Sequence, residues 1–137
     1  MEITFPNSGD GSAEFTPLQF HFHSPSEHTV DGKYYDLEMH IVHHYRGKTG
    51  DEEGYLGAVI GVFFDTTEGG TDENEFLQTV FKAIDSRNEV DPSKLNLMEF
   101  LRNVNFGNYF SYNGSLTTPP CTEGIKWNVI KPVLSIS

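Results

Sequence analysis

The chain has 137 residues, with 9 Lys and Arg against 20 Asp and Glu, so its formal net charge at pH 7 is -11. A surface this acidic disfavours polyanions, and we expect no nucleic-acid partner. No apolar run approaches the roughly 18–20 residues of a membrane helix, and the first residues lack the charged and apolar regions of a signal peptide. The length suits one domain with a single core, and the lone cysteine, Cys121, excludes an intrachain disulfide.

The first half of the chain has the alternation that is typical of strands. Residues 15–23 are alternating and rich in aromatics, which predicts a strand. Asp31-Gly32 lies between this run and a second alternating run that ends at Tyr45, and an Asp-Gly pair in that position predicts a hairpin turn. Residues 55–64 are almost continuously apolar, which predicts a strand buried on both faces.

The period changes over residues 73–87, where one helical stripe collects Phe76, Leu77, Val80, Phe81 and Ile84. Asp72 is the predicted N-cap of this helix, and Glu75 completes a capping box. A polar segment of turn-forming residues follows, and residues 125–130 predict a last apolar strand. The sequence therefore predicts a mainly β fold with one helix.

The predicted hairpin brings three histidines together. An uninterrupted hairpin around Asp31-Gly32 places His23 opposite His40 and His21 opposite Val42, and directly opposed side chains share a face. One face then presents imidazoles, carboxylates and a carboxamide: Gln19, His21, His23, Glu27, Glu38, His40 and Val42. Such a set is a poor core and a suitable metal site. This register also predicts His28 and His43 on the opposite face, as structural histidines.

Zinc suits three histidine ligands, because they leave a fourth position for water. Gln19 and Glu38 are placed to accept the second ring N–H of His21 and His40, as metal-bound histidines require. Each feature also has an ordinary interpretation. A His-x-His pair on a strand is common without metal, Glu27 alone fits a solvated turn, and the run SLTTPP alone fits a turn.

Two motifs resemble a known family. QFHFHSPSEHTVDGKYYDLEMHIVHHY resembles the zinc-binding segment of α-type carbonic anhydrases, and NGSLTTPPCTEGIKW resembles their threonine-bearing active-site loop. The resemblance implies a large, twisted, mostly antiparallel central sheet. It also implies that residues 1–137 are a partial domain, truncated at both ends, and the short SPSEHTVDG connection is closest to plant, algal, protist or bacterial members.

The resemblance also implies a role for each matching residue. His21, His23 and His40 match the zinc ligands, and Gln19 and Glu38 match the groups that orient them. Thr117 matches the threonine that accepts a hydrogen bond from zinc-bound hydroxide, and Glu27 matches the glutamate that orients this threonine. The residues that match the carbon dioxide pocket are Val42, Val59, Leu116, Thr118, Ile125 and Trp127. The implied reaction is the reversible hydration of carbon dioxide to bicarbonate and a proton.

The resemblance leaves alternatives open. Non-catalytic storage or binding relatives typically lose a zinc histidine, whereas this sequence keeps all three. A different zinc hydrolase is a second alternative, and an inactive fragment is a third. Cys121 matches the second cysteine of a disulfide common in extracytoplasmic members, which implies an extracytoplasmic location.

Overall fold

The computed structural model describes residues 3–6, 12–46, 54–85 and 95–136, with side chains from Phe15 onward. Within these ranges seven strands and two helices follow one another along the chain. They are β1 (Ile3–Pro6), β2 (Ser12–His23), β3 (Leu37–Tyr45), β4 (Gly57–Asp65), α1 (Glu75–Asp85), α2 (Leu97–Arg102), β5 (Tyr109–Ser115), β6 (Glu123–Ile130) and β7 (Leu134–Ser135). Neither helix has the length and hydropathy needed to cross a bilayer.

All the strands belong to one mixed sheet in the order β1-β2-β3-β4-β6-β5, with β7 also paired to β4. The pairings are antiparallel except for those of β4 with β6 and with β7, which are parallel. The predicted mainly β fold with a mostly antiparallel sheet is therefore confirmed.

Strand β4 lies in the middle of the sheet, and every residue from Gly57 to Asp65 is buried, as the continuous apolar run predicts. Its alternate side chains contribute to two separate clusters. On the helix-covered face, Ile60, Val62 and Phe64 pack with side chains of α1 and α2. On the other face, which we call the site face, Val59 and Phe63 pack with apolar residues of β6. Burial on both faces follows from this central position.

Helix α1 confirms the predicted helix, with two corrections. The helix begins at Glu75, and Asn74 Oδ1 accepts the Leu77 N–H at 3.2 Å, so Asn74 and not Asp72 is the N-cap. Phe76, Leu77 and Val80 are buried in the helix-covered face, but Phe81 is 41% and Ile84 69% exposed. The apolar stripe is thus broader than the surface it covers.

Four of the described elements were not predicted: β1, α2, β5 and β7. Strands β1 and β7 have only four and two residues. Helix α2 has only six residues, too few for a clear period, although Asn96 caps Glu99 N–H at 3.0 Å and donates back to its carboxylate at 2.9 Å. Strand β5 forms from the polar segment before Ser115, and its residues are mostly exposed at the edge of the sheet. Edge strands carry little apolar signal, which explains why alternation did not indicate this one.

The connection between β2 and β3 corrects the predicted register. Asp31 and Gly32 form the turn, with φ of 51° and 81°, and Val30 and Lys33 exchange two backbone hydrogen bonds across it. Ser26, however, donates its N–H to Tyr35 O, so residues 27–29 lie opposite the single residue Tyr34. These two extra residues shift the register, and His21 pairs with His40 and not with Val42.

Candidate active site

Three histidines meet on the site face of β2 and β3. His21 and His23 lie two residues apart on β2 and so share a face, and His40 of β3 lies directly opposite His21. The ring centroids are 4.9 Å apart for His21 and His23, 5.3 Å for His21 and His40, and 4.6 Å for His23 and His40. One ring nitrogen of each histidine lies within 4.8 Å of the others. The predicted cluster forms although the predicted pairing was wrong, because a shift of two residues keeps every side chain on its face.

Hydrogen bonds fix the tautomer of two of these rings. His21 Nδ1 is 2.9 Å from Gln19 Oε1, and His40 Nε2 is 2.9 Å from Glu38 Oε1. Both oxygens are acceptors, so each of these nitrogens carries the proton. The lone pairs at His21 Nε2 and His40 Nδ1 are therefore left for a metal, and Gln19 and Glu38 lie where they were predicted.

His23 supplies the third nitrogen. Its Nε2 is buried and has no hydrogen-bond partner among the described residues, which is unusual for a buried polar atom. Burial, together with the neighbouring His40 and His23 rings, lowers the pKa of His21, which favours the neutral imidazole that a metal requires. Three imidazoles that each bring one ring nitrogen within 4.8 Å of the others fit a zinc ion with one open position.

Glu38 is the fully buried anion of the site. Its Oε1 accepts from His28 Nδ1 at 2.6 Å and from His40 Nε2, while its Oε2 accepts the N–H groups of Glu27 and His28, both at 2.9 Å. Burial opposes ionisation, but the hydrogen bonds from His28 and His40 outweigh it and hold the pKa of Glu38 well below its usual range. The carboxylate has four donors and is ionised.

The placement of His28 corrects the sequence analysis. The two extra residues at 27–29 turn His28 onto the site face, where Nδ1 donates to Glu38 and Nε2 accepts from Tyr112 Oη at 2.6 Å. Burial, followed by the charges of Glu38 and Glu27, raises the pKa of Tyr112 to about 12, so this hydroxyl remains a donor.

His28, Glu38 and His40 also have ligand-type atoms within 4.8 Å of one another, but both histidines are already hydrogen-bonded to Glu38 through these atoms. His43 lies on the opposite face, buried and bonded to Ile41 O, as predicted.

Comparison with known proteins gives the family of the chain. The family model described as eukaryotic-type carbonic anhydrase matches residues 3–137. The chain belongs to the eukaryotic-type carbonic anhydrase family. It is 44% identical to alpha carbonic anhydrase 4 of Arabidopsis thaliana over 128 residues, which cover 90% of this chain and 42% of that protein.

A solved structure and a second relative show the breadth of the family. The α-carbonic anhydrase of Thermovibrio ammonificans, solved with sulfanilamide, superposes with a TM-score of 0.63 at 38% identity, over 91% of this chain and 51% of that one. Dioscorin DB3L of Dioscorea polystachya is 34% identical over 119 residues, 87% of this chain and 41% of the relative. The chain thus spans less than half the length of the curated relatives named here.

The apolar residues of the predicted carbonic anhydrase pocket lie together beside the histidines. Val59, Ile125 and Trp127 are buried in one cluster, and Val42 and Leu116 pack against it. Val42 pairs with Val59, and Val59 pairs with Trp127, which places them in one row across three strands. The Trp127 ring is 4.8 Å from that of His40, so the row borders the candidate metal position.

The threonine loop follows Leu116, which packs against this apolar cluster. Leu116 N–H bonds Thr122 O and Cys121 N–H bonds Thr118 O, both at 2.9 Å, and the side chains of Thr117 and Thr118 are exposed. Glu27 Oε1 lies 3.5 Å from His23 Nδ1, and its Oε2 lies 3.9 Å from His40 Nδ1. No hydrogen bond joins Thr117 to Glu27 in the described part of the chain, so their partnership stays a prediction.

Proposed function

We propose that the protein is a zinc-dependent carbonic anhydrase that hydrates carbon dioxide to bicarbonate and a proton. The observation that carries the proposal is the converging set of ring nitrogens on His21, His23 and His40. Two of these rings are held in one tautomer by Gln19 and Glu38, and the third has a buried nitrogen without a partner among the described residues. Family membership gives the reaction class.

Zinc, when bound by the three histidines, lowers the pKa of a coordinated water to about 7 and so provides a nucleophile at neutral pH. The protein supplies the position and orientation of the reacting groups. The row of Val42, Val59 and Trp127 provides an apolar surface for a small uncharged molecule beside the metal position. A polar product has fewer partners on that surface, which favours its release.

We assign Thr117 and Glu27 to the orientation of the nucleophile. A threonine hydroxyl has one proton and two acceptor lone pairs. If the Thr117 hydroxyl donates its one hydrogen bond to the Glu27 carboxylate, Thr117 Oγ1 can only accept a hydrogen bond from the nucleophile. A lone pair of the nucleophile is then directed toward carbon dioxide. The carboxylate of Glu27 already lies within 4 Å of His23 and His40, so it needs no rearrangement of the strands to serve the site.

A non-catalytic zinc-binding or storage protein on the same fold is the alternative. The retention of three histidines, Glu27 and Thr117 favours the enzyme.

The test combines zinc content by elemental analysis with stopped-flow hydration of carbon dioxide. The parent protein is expected to contain one zinc and to hydrate carbon dioxide. Thr117→Ala and Glu27→Ala are each expected to lower the rate by roughly 10²–10⁴-fold with zinc retained, as for other orienting and proton-handling groups. Thr79→Ala and Glu75→Ala on α1 are the matched controls, and their rates should equal that of the parent.

The outcomes separate the hypotheses. Bound zinc with no hydration in the parent would favour the storage protein. Parental rates in both Thr117→Ala and Glu27→Ala would show that the two residues do not orient the nucleophile.

A further inference from the structure

Gly61 occupies an unusual position for a glycine. It lies in the middle of β4, directly opposite His40 of β3 and beside Val129 of β6. Its neighbours Ile60 and Val62 are buried and β-branched, as expected in a central strand. A glycine here weakens the strand, because it has more freedom to lose and no side chain to pack, so its presence indicates that another group approaches the backbone closely.

The approaching group is the Glu38 carboxylate. A Cβ added to Gly61 would lie 3.0 Å from Glu38 Oε1, with the nearest other atom, Val129 Cγ2, at 3.5 Å. Oε1 is the oxygen that accepts from both His28 Nδ1 and His40 Nε2. The glycine therefore borders the acceptor that fixes the tautomer of a candidate zinc ligand.

The carboxylate cannot move away from an added methyl group without loss. The end of a flexible side chain usually yields at small cost, but Glu38 is held at both oxygens. A movement of Oε1 would stretch the bonds from His28 and His40, and rotation of the carboxylate would disturb the bonds from the N–H groups of Glu27 and His28 to Oε2. Buried donors left without an acceptor carry a large penalty.

Other glycines of the sheet lie close to groups other than this carboxylate. A Cβ on Gly57 would meet the His43 carbonyl at 2.6 Å, which is a backbone contact, and one on Gly114 would meet the Tyr112 ring at 3.0 Å. Among the glycines that the structure describes, Gly61 is the one whose Cβ would meet a carboxylate of the site.

We propose that Gly61 is a positioning residue of the metal centre. Its missing side chain leaves the space in which Glu38 holds the Nε2–H of His40, and this keeps the Nδ1 lone pair of His40 directed at the metal. The inference rests on the proposed zinc site, and it concerns the affinity of that site and not the chemistry performed there.

The experiment is a double-mutant cycle on zinc affinity, measured by competition with a chromophoric chelator. The proteins are the parent, Gly61→Ala, Glu38→Ala and the double variant. Gly61→Ala alone should weaken zinc binding on the order of tenfold, the lower end of the range for groups that orient metal ligands. In the Glu38→Ala background the same change should alter affinity by less than about twofold, because the clashing oxygen is gone.

Two further measurements separate positioning from general destabilisation. Val62→Ala on the helix-covered face of the same strand should lower stability and leave zinc affinity unchanged. In the metal-free protein, imidazole ¹⁵N chemical shifts should show His40 protonated at Nε2 in the parent and as a mixture of tautomers in Gly61→Ala.

Three results would overturn the proposal: unchanged zinc affinity in Gly61→Ala, an equal loss in both backgrounds, or failure of Gly61→Ala to fold in both. Folding of the double variant where Gly61→Ala alone fails to fold would support it. A parent that binds no zinc would instead refute the proposed function.

Discussion

On the helix-covered face, Ile60, Val62 and Phe64 of β4 pack with Leu77 and Phe100 from the two helices, and this cluster is apolar throughout. On the site face, β3 carries His40 and Glu38 at full burial beside Trp127 of β6. Both faces exclude water, but they are held together differently. The helix-covered face depends on the area and fit of its side chains. The site face depends on matching each buried donor to an acceptor.

This difference has a consequence for substitutions. When a side chain in an apolar cluster is shortened, the stability lost scales with the atoms removed, and a distant polar group is not directly affected. When one group of a buried hydrogen-bond network is removed, every group that was bonded to it loses its partner. A substitution on the site face should therefore lower both stability and metal affinity. A substitution on the helix-covered face should lower stability alone.

Glu38→Ala should give the largest effect. It removes the acceptor of four hydrogen bonds, one of them from the buried His40, and breaking a buried charged network in this way costs about 3–5 kcal/mol. Zinc affinity should fall by roughly 10–100-fold at the same time. Denaturant unfolding of the metal-free protein and zinc competition measure the two losses. A large loss of stability with parental zinc affinity would show that the network does not orient His40.

Leu77→Ala should lower stability by about 2–5 kcal/mol, the usual range for a fully buried leucine, because it leaves a cavity under α1. Zinc affinity should equal that of the parent, since Leu77 belongs to the cluster of the helix-covered face. The same two measurements apply. Weakened zinc binding in this variant would show that the two faces are coupled through the sheet.

The helix-covered face was the more predictable of the two. The apolar run at 55–64 and the stripe of Phe76, Leu77 and Val80 gave the central strand and its covering helix, because burial leaves a periodic signal. The extent of the stripe was overestimated at Phe81 and Ile84, since period alone does not give the width of the partner surface. Helix α2 was too short to show a period.

The candidate metal ligands could be predicted from the sequence, but the hydrogen-bond partners around them could not all be predicted. Alternation places His21, His23 and His40 on one face for any register shifted by two residues, so the cluster formed despite the wrong pairing. The placement of His28 depends on two extra residues in an irregular connection, and no periodicity indicates such an insertion. The contact of Tyr112 with His28 joins residues 84 positions apart, which a pattern in sequence cannot reveal.

The smallest effect should come from Asp65, at the end of β4. Its Oδ1 accepts from Thr67 Oγ1, Thr67 N–H and Glu68 N–H, and the hydrogen bond from the Thr67 side chain is the main reason that the pKa of Asp65 is lowered to about 2. A lowered pKa adds stability that is present above the usual aspartate range and is lost as the pH falls through about 2.

Asp65→Asn should therefore cost about 1 kcal/mol near neutral pH, as for a typical hydrogen bond. The difference from the parent should shrink as the pH falls toward about 2. Denaturant unfolding of both metal-free proteins at several pH values measures this. A difference that is independent of pH would show that the charge of Asp65 adds no stability.

Zinc K-edge X-ray absorption of the zinc-loaded protein tests the identity of the metal ligands. We expect three imidazole nitrogens and one further light atom at about 2.0–2.1 Å, with one imidazole lost in His40→Ala. A sulfur scatterer at about 2.3 Å, or an unchanged spectrum in His40→Ala, would contradict it.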